Sequence, residues 1–329
     1  MVSIASIKNS EKTKVFFNRY GTVMILLVMM LIMTCLRGTT FLSFNNLFNI
    51  VRQQSIIGLI SLGVMLCIIT AGIDISSGSV IALCSVVVAS LAHPAAGDVS
   101  SGQFPLIVPI LGGILVGALC GLTNGVFIAY GRVPPFIVTL GMMTATRGMA
   151  LIIAKGRPIV GFTNAFNFIG RGSWLGIPVP IWILACGTAI MYLILHKSKF
   201  GVYVYAIGGN TNAAIVSGIN VKRVTVMVYM LAGMFTGLAS IILTSRTLAG
   251  NHGTGGGFEM DAITGAVIGG ASFSGGVGRV INTLIGALIM GVLTNSMTML
   301  QIEPYVQMVI RGLVIVFAVL IDARKHRRS

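Results

Sequence analysis

Residues 105–130 read PLIVPILGGILVGALCGLTNGVFIAY, an uninterrupted run without one charged side chain. A hydrocarbon core ~30 Å thick is crossed by about 20 residues of apolar helix. Backbone polar groups find no partners in lipid, so a crossing segment must satisfy them internally, as a helix does. Runs of this kind recur along the chain at approximately 21–36, 54–71, 77–93, 105–130, 134–154, 176–195, 224–245, 259–272, 280–300 and 304–321. The eighth is short and Gly-rich, as a tilted or broken helix would be. Short polar or basic clusters separate them. The expected fold is an all-α polytopic membrane protein of about ten transmembrane helices.

Composition leads the same way. Hydrophobic residues make up 55 % of the chain and charged residues 9 %, too much apolar surface for a chain of this size to hide from water. The formal charge of +15 raises the question of nucleic acid. The basic residues sit at the ends of apolar runs and at the C-terminus, so they flank spans, and no nucleic-acid partner is expected. Cys35, Cys67, Cys84, Cys120 and Cys186 all lie inside apolar runs without metal-ligand spacing and read as packed thiols. Thr34-Cys35-Leu36-Arg37 offers no small-residue cleavage site after the first run, which is expected to be a retained anchor.

Direction follows from the loops. With the N-terminus in the cytoplasm, fourteen of the 22 Lys and Arg residues fall inside and six outside, while Arg147 and Arg311 fall within spans. Both termini are then cytoplasmic. The expected layout is a cytoplasmic segment 1–20, a membrane domain 21–322 and a basic tail 323–329, with a long cytoplasmic loop at 196–223. A weak internal repeat is also visible. Gly117-Ala118-Leu119 followed by Leu122-Thr123-Asn124 resembles Gly286-Ala287-Leu288 followed by Leu293-Thr294-Asn295. Each leads to Pro-aromatic (Pro135-Phe136, Pro304-Tyr305) and then Arg-Gly. The two runs point in opposite directions, so either two five-span halves form an inverted repeat or apolar segments agree by chance.

Few polar residues carry candidate function. In the 196–223 loop, Asn210 suits a helix N-cap, Thr211 to Ser217 suit two turns, and Gly218 suits the residue after a helix. So short a helix needs a surface to lie on, and the loop is either a docking element or an ordinary connection. Asp74, beside Ser76, Ser77 and Ser79, is either a cap on the third span or part of a gate. Glu259 and Asp261 at the expected outer mouth of the eighth span are caps or contacts for an external partner. Gly113, Gly117, Gly121 and Gly125 form a stripe for close helix packing. Residues 272–279, SFSGGVGR, lack the phosphate-loop pattern and read as a tight cytoplasmic turn. No Walker motif, H-E-x-x-H, nucleophile elbow or pair of catalytic carboxylates occurs. An enzyme is therefore not expected; a transport subunit powered from outside itself is.

Several segments together resemble one family: TAGIDISSGSVIAL at 70–83, PPFIVTLGM at 134–142, GVYVYAIGGNTNAAIVSGINV at 201–221, DAITGAVIGGASFSGGVG at 261–278 and LVIVFAVLID ending at Asp322. The resemblance, to the permease subunit of ribose-, galactose- and xylose-type ABC importers, covers roughly 20–322. The chain departs from it at Ala71-Gly72 and Ser77, where the family more often has Gly-Gly and Val. The resemblance implies a bacterial inner-membrane protein that moves a monosaccharide inward by alternating access. It implies a second permease copy (identical or a sister), a partner ATPase that binds ATP and Mg, a sugar-binding protein outside, and surrounding lipid. No cofactor or metal is expected in this chain. It makes Gly208, Gly209, Asn210, Ala213, Ala214, Ser217 and Gly218 the coupling element. Asn124, Phe136, Thr139 and Asn295, with Asp74, are candidates for the sugar pathway or for helix packing. Arg37, Arg52, Arg157, Arg171 and Arg246, with Glu259 and Asp261, are candidates for contact with the binding protein or, for the arginines, for topological flanking. The rival expectation is a self-sufficient secondary carrier or facilitator; a membrane scaffold without transport is a third.

Overall fold

A computed structural model of the chain describes residues 4–95 and 98–326. The end of the expected basic tail, residues 327–329, lies outside them. The described chain is helical: α1 (Ile4–Arg37), α2 (Thr39–Leu42), α3 (Phe44–Ile69), α4 (Ser77–Leu91), α5 (Ile107–Ala129), α6 (Pro135–Ala154), α7 (Asn164–Arg171), α8 (Val179–Lys197), α9 (Lys199–Gly209), α10 (Thr211–Val216), α11 (Val221–Thr247), α12 (Phe258–Ile268), α13 (Val280–Met299) and α14 (Pro304–His326). Three short antiparallel pairings tie loops together. Ile159–Val160 with Ala249–Gly250 links the segment after α6 to the segment after α11.

All ten expected apolar segments are helical, but they are not alike. Six helices (α3, α5, α6, α8, α11 and α13) have the length and composition to cross a membrane. Gly21–Arg37, Ser77–Leu91 and Pro304–Leu320 are shorter apolar stretches. The expected third and eighth spans are short helices, the eighth as its Gly-rich sequence foreshadowed. With 15 and 11 residues, α4 and α12 reach about 22 and 16 Å, short of a hydrocarbon core. The rest of each expected segment is irregular backbone enclosed by other helices, where it escapes the penalty that lipid would impose.

The packing is that of a membrane protein. α3 and α11 form the centre, with Leu59, Ile60, Leu62, Met65 and Leu66 of α3 fully buried. The outer helices expose apolar side chains. On α5, Leu111, Leu115 and Leu119 project outward at four-residue intervals, while the glycine stripe on the opposite face meets α11. A β-carbon on Gly117 would overlap the carbonyl of Gly233, and one on Gly237 would overlap that of Gly113. The stripe is thus a packing surface, in which small residues bring two backbones together. The same device joins α12 to α13, where Gly286 meets the Gly265 carbonyl. Some polar side chains in the core bond one another or the backbone: Thr244 Oγ1 lies 2.7 Å from Ser85 Oγ, and Ser245 Oγ donates to the Phe166 carbonyl at 2.6 Å. Cys67, Cys84 and Cys120 are buried thiols; Cys35 and Cys186 face outward.

Candidate functional site

Two polar constructions stand out from the apolar bundle. The first is the α9–α10 corner. Asn210 closes α9 and opens α10, its side-chain oxygen accepting from the Ala213 N–H at 2.9 Å. Gly218 follows α10 at φ +81°, and the Ile219 N–H returns to the Ala214 carbonyl at 3.0 Å, the glycine-assisted helix stop that the sequence foreshadowed. α9 itself, occupying residues expected as loop, starts at Ser198, whose hydroxyl accepts from the Gly201 N–H.

The side chains of α10 are divided between the bundle and the outside. Ala214 is buried in the chain's own core. Ile215 and Val216 do face outward, Val216 with 89 % exposure. Ala213, Ser217, Gly209, Asn210 and Gly218 are exposed beside them. Gly208 lies inward against the Ile69 carbonyl, with no space for a β-carbon. Sequence reasoning missed Ile215 and Val216 because apolar residues in an apolar chain carry no signal until their surroundings are known.

The corner is fastened to the end of α3. Gly276 N–H donates to the same Ile69 carbonyl at 2.8 Å, and Tyr205 Oη donates to the Gly278 carbonyl at 2.7 Å. The segment 272–278 is the tight turn expected, with Gly275 and Gly276 at φ +84° and +72°. Its Ser272 hydroxyl and Phe273 N–H reach Asp322 of α14, each at 3.2 Å. α3, α9, the 272–278 turn and α14 therefore meet at one end of the bundle.

The second construction lies where α4 and α12 begin. Asp74 is buried; one carboxylate oxygen accepts from the Ser76 N–H at 2.8 Å and from its hydroxyl at 2.6 Å. Asn124 of α5 donates to Ser76 Oγ at 3.1 Å. Of the five pathway candidates, Asp74 and Asn124 are thus brought together through Ser76. The other three stand apart. Phe136 faces outward, Thr139 bonds the Pro135 carbonyl of its own helix, and Asn295 exchanges side-chain amide bonds with Asn46 at 3.3 and 2.9 Å.

Gly78, in the first turn of α4, has no room for a β-carbon because the Glu259 carboxylate and the Gly255 carbonyl occupy that space. The positive ends of two short helices therefore converge. Arg147 of α6 closes the junction, with Nη1 on the His252 and Thr254 carbonyls at 2.5 and 2.8 Å and Nη2 on the Gly78 carbonyl at 3.3 Å. Arg311 of α14 pairs with Asp261 at 3.6 Å. Around these groups the side-chain oxygens Ser77 Oγ, Ser79 Oγ, Asn124 Oδ1 and Glu259 Oε2 are buried without partners. They gather four polar oxygens at one place inside an apolar protein. Arg147 and Arg311 escaped the candidate set, although a cation within a span is itself a functional signal.

The arginines expected to face a binding protein separate into two groups. Arg37 and Arg157 are exposed. Arg52 donates to the Gly170 carbonyl at 2.8 Å, and Arg171 donates to that of Arg246 at 3.2 Å. Together with Asn49 and Gln53 these three arginines line one pocket. Glu259 is buried and Asp261 is engaged by Arg311, so neither is presented to an external protein here.

Comparison with known proteins gives this geometry a family. The chain is 42 % identical to the ribose import permease protein of Bacillus subtilis over 322 residues, 96 % of this chain and 97 % of that one. It is 38 % identical to the ribose import permease protein of Escherichia coli K12, covering 95 % and 96 % of the two chains. It is 35 % identical to the galactose/methyl galactoside import permease protein of the same strain, covering 97 % and 98 %. No solved structure gives a match. Residues 46–319, which include the α9–α10 corner and the α4–α12 junction, match the family model described as branched-chain amino acid transport system / permease component, and the chain belongs to that family.

Proposed function

We propose that this chain carries a monosaccharide across the bacterial inner membrane by alternating access, as one of two permease copies driven by a separate ATPase. Its place as the membrane permease of an ABC monosaccharide importer, a transport subunit and not an enzyme, follows from full-length similarity to permeases named for ribose, allose, arabinose and galactose. An ATPase and a sugar-binding protein are the partners of such a permease. Ribose is the first sugar to test, being named for the relative at 42 % identity.

The observation that carries the ATP-driven mechanism is the exposed apolar pair Ile215 and Val216 on a capped two-turn helix, followed in sequence by the basic Lys222 and Arg223. An apolar tip of this kind suits insertion into a groove of a soluble partner. Gly208, Gly209, Asn210, Ala213, Ser217 and Gly218 shape and cap that element, and Ala214 roots it. With no Walker motif here, ATP and Mg are assigned to the partner. Movement of α10 would pass through Ile69 to residues 70–76, and so to Asp74, Ser76 and Asn124. ATP acts by favouring the conformation in which it binds better.

A ten-segment inverted repeat with both termini in the cytoplasm is part of the same reading. It is supported by the packing. Exchanging α3 with α11, α4 with α12, α5 with α13 and α6 with α14 relates four contacts to four others: α11–α5 to α3–α13, α11–α4 to α3–α12, α4–α5 to α12–α13, and α4–α6 to α12–α14. Ala71-Gly72 after α3 has a counterpart in Ala249-Gly250 after α11. In that frame the junction of α4 and α12 lies near the middle of the membrane, where repeat-built transporters place their sites. Asp74, Asn124 and Arg147 act there as the gate, and Arg37 and Arg157 meet the binding protein.

The test is uptake of labelled ribose, allose, arabinose and galactose by vesicles holding this chain with its ATPase and binding protein. ATP-dependent accumulation supports the reading. Accumulation by the chain alone, driven by an ion gradient, replaces it with the secondary carrier.

A further inference from the structure

A groove about 670 Å³ in volume opens on the outside of the bundle between α3, α8 and α13. Its lining includes the small residues Ala185 and Ala189 of α8, with Val51, Tyr192, Leu284 and Leu288. It follows α8 from Ile181 to Leu193, thirteen residues with a rise of about 18 Å. That is comparable with one leaflet of a hydrocarbon core ~30 Å thick.

Next to Val51 in sequence is Arg52, and here the lining changes character. Asn49, Arg52, Gln53, Arg171 and Arg246 enclose a second pocket of about 400 Å³ with no carboxylate in its wall. Three guanidiniums gathered without a counter-charge repel one another, and each is always charged. Arg52 and Arg171 spend only part of their donor sets on backbone carbonyls. Arg246 Nη1 is buried with no hydrogen-bond partner. An anion with several acceptor oxygens would complement these donors. A carboxylate on a soluble protein would answer the charge but leave the adjoining apolar groove unexplained.

We propose that an anionic phospholipid binds here, its phosphate held by Arg52, Arg171 and Arg246 and one acyl chain lying on Ala185 and Ala189 along α8. Arg52 stands near the start of α3 and the α9–α10 corner at its end. On the permease reading above, on which this assignment of side rests, the lipid belongs to the leaflet away from the ATPase. The ligand fastens α8 to α3 and α13 at the end where α7 and α11 also terminate.

The full chain, extracted in mild detergent, is titrated with dioleoyl phosphatidylglycerol and, separately, with the phosphatidylcholine of the same chains, binding being read by native mass spectrometry. Inorganic phosphate serves as competitor. Saturable binding of the anionic lipid, weaker binding of the zwitterionic one and no displacement by inorganic phosphate are expected. Arg171→Gln weakens binding of the anionic lipid by about tenfold, the loss that follows from one charged hydrogen bond. Ala189→Phe and Ala185→Phe, both at exposed positions where folding tolerates them, also weaken it. Equal binding of the two lipids overturns the proposal. So does full competition by inorganic phosphate, or loss on Arg171→Gln without loss in either groove variant, which would leave an anion site open to an acidic protein. Sugar uptake by the wild-type complex judges the permease reading separately and does not depend on this titration.

Discussion

Gly208 packs against the carbonyl of Ile69 so closely that a β-carbon would overlap it. The last turn of α9 and the last residue of α3 are in this way joined backbone to backbone, with no flexible side chain between them. The same carbonyl accepts from Gly276 at 2.8 Å. On the proposed reading, displacement of α10 would reach residues 70–76, and the buried Asp74, through this short path of contact. Gly208→Val should break that path. We expect transport to fall severely while the chain still inserts and still binds its ATPase, as read by uptake and by co-purification.

Val216 tests the other end of the path. Its side chain projects freely from α10, so Val216→Asp should leave the thermal stability of the permease unchanged. It should weaken ATPase association by about tenfold or more, the size of effect seen when a buried interface anchor is lost. Ala214→Asp should do the reverse. It places an unpaired charge in the chain's own core and should lower stability by several kcal/mol, measured by melting of the extracted protein.

That contrast shows what was legible in advance. Asn210 and Gly218 announced the two ends of α10 because capping is local chemistry. Which face of a six-residue helix turns inward is decided by α9 and α11, and no periodicity exists over so short a span. The ten apolar segments were equally legible, since lipid demands a long and nearly uncharged helix. The stops of α4 and α12 were less so. Hydropathy reads residues 92–93 and 269–272 as continuous with their helices, although the backbone there is irregular. The partners of Arg147, more than a hundred residues away at His252 and Thr254, were beyond any local pattern.

Arg147 holds three carbonyls with one planar group. Arg147→Lys keeps the charge and loses the fork. It should impair sugar uptake nearly as much as Arg147→Gln, with ATPase association preserved. Recovery of uptake by the lysine variant would show that charge alone matters there.

Asp74→Ala removes the acceptor of both Ser76 bonds, and Asn124 then has only a loosened hydroxyl to bond. A stability loss of about 1–3 kcal/mol is expected. Uptake should fall further than this loss explains, because the α4–α12 junction would no longer follow residues 70–76. Gly117→Val, remote from that junction, should lower stability by ~1–3 kcal/mol through the α5–α11 contact, with uptake per folded molecule retained.

The most direct measurement is sugar uptake into proteoliposomes that contain the permease, its ATPase and the sugar-binding protein, with wild-type chain and with Val216→Asp in parallel. The account predicts ATP-dependent accumulation by the wild type and none by the variant, at equal insertion of both. Accumulation that persists in the variant, or in vesicles lacking the ATPase, would contradict it.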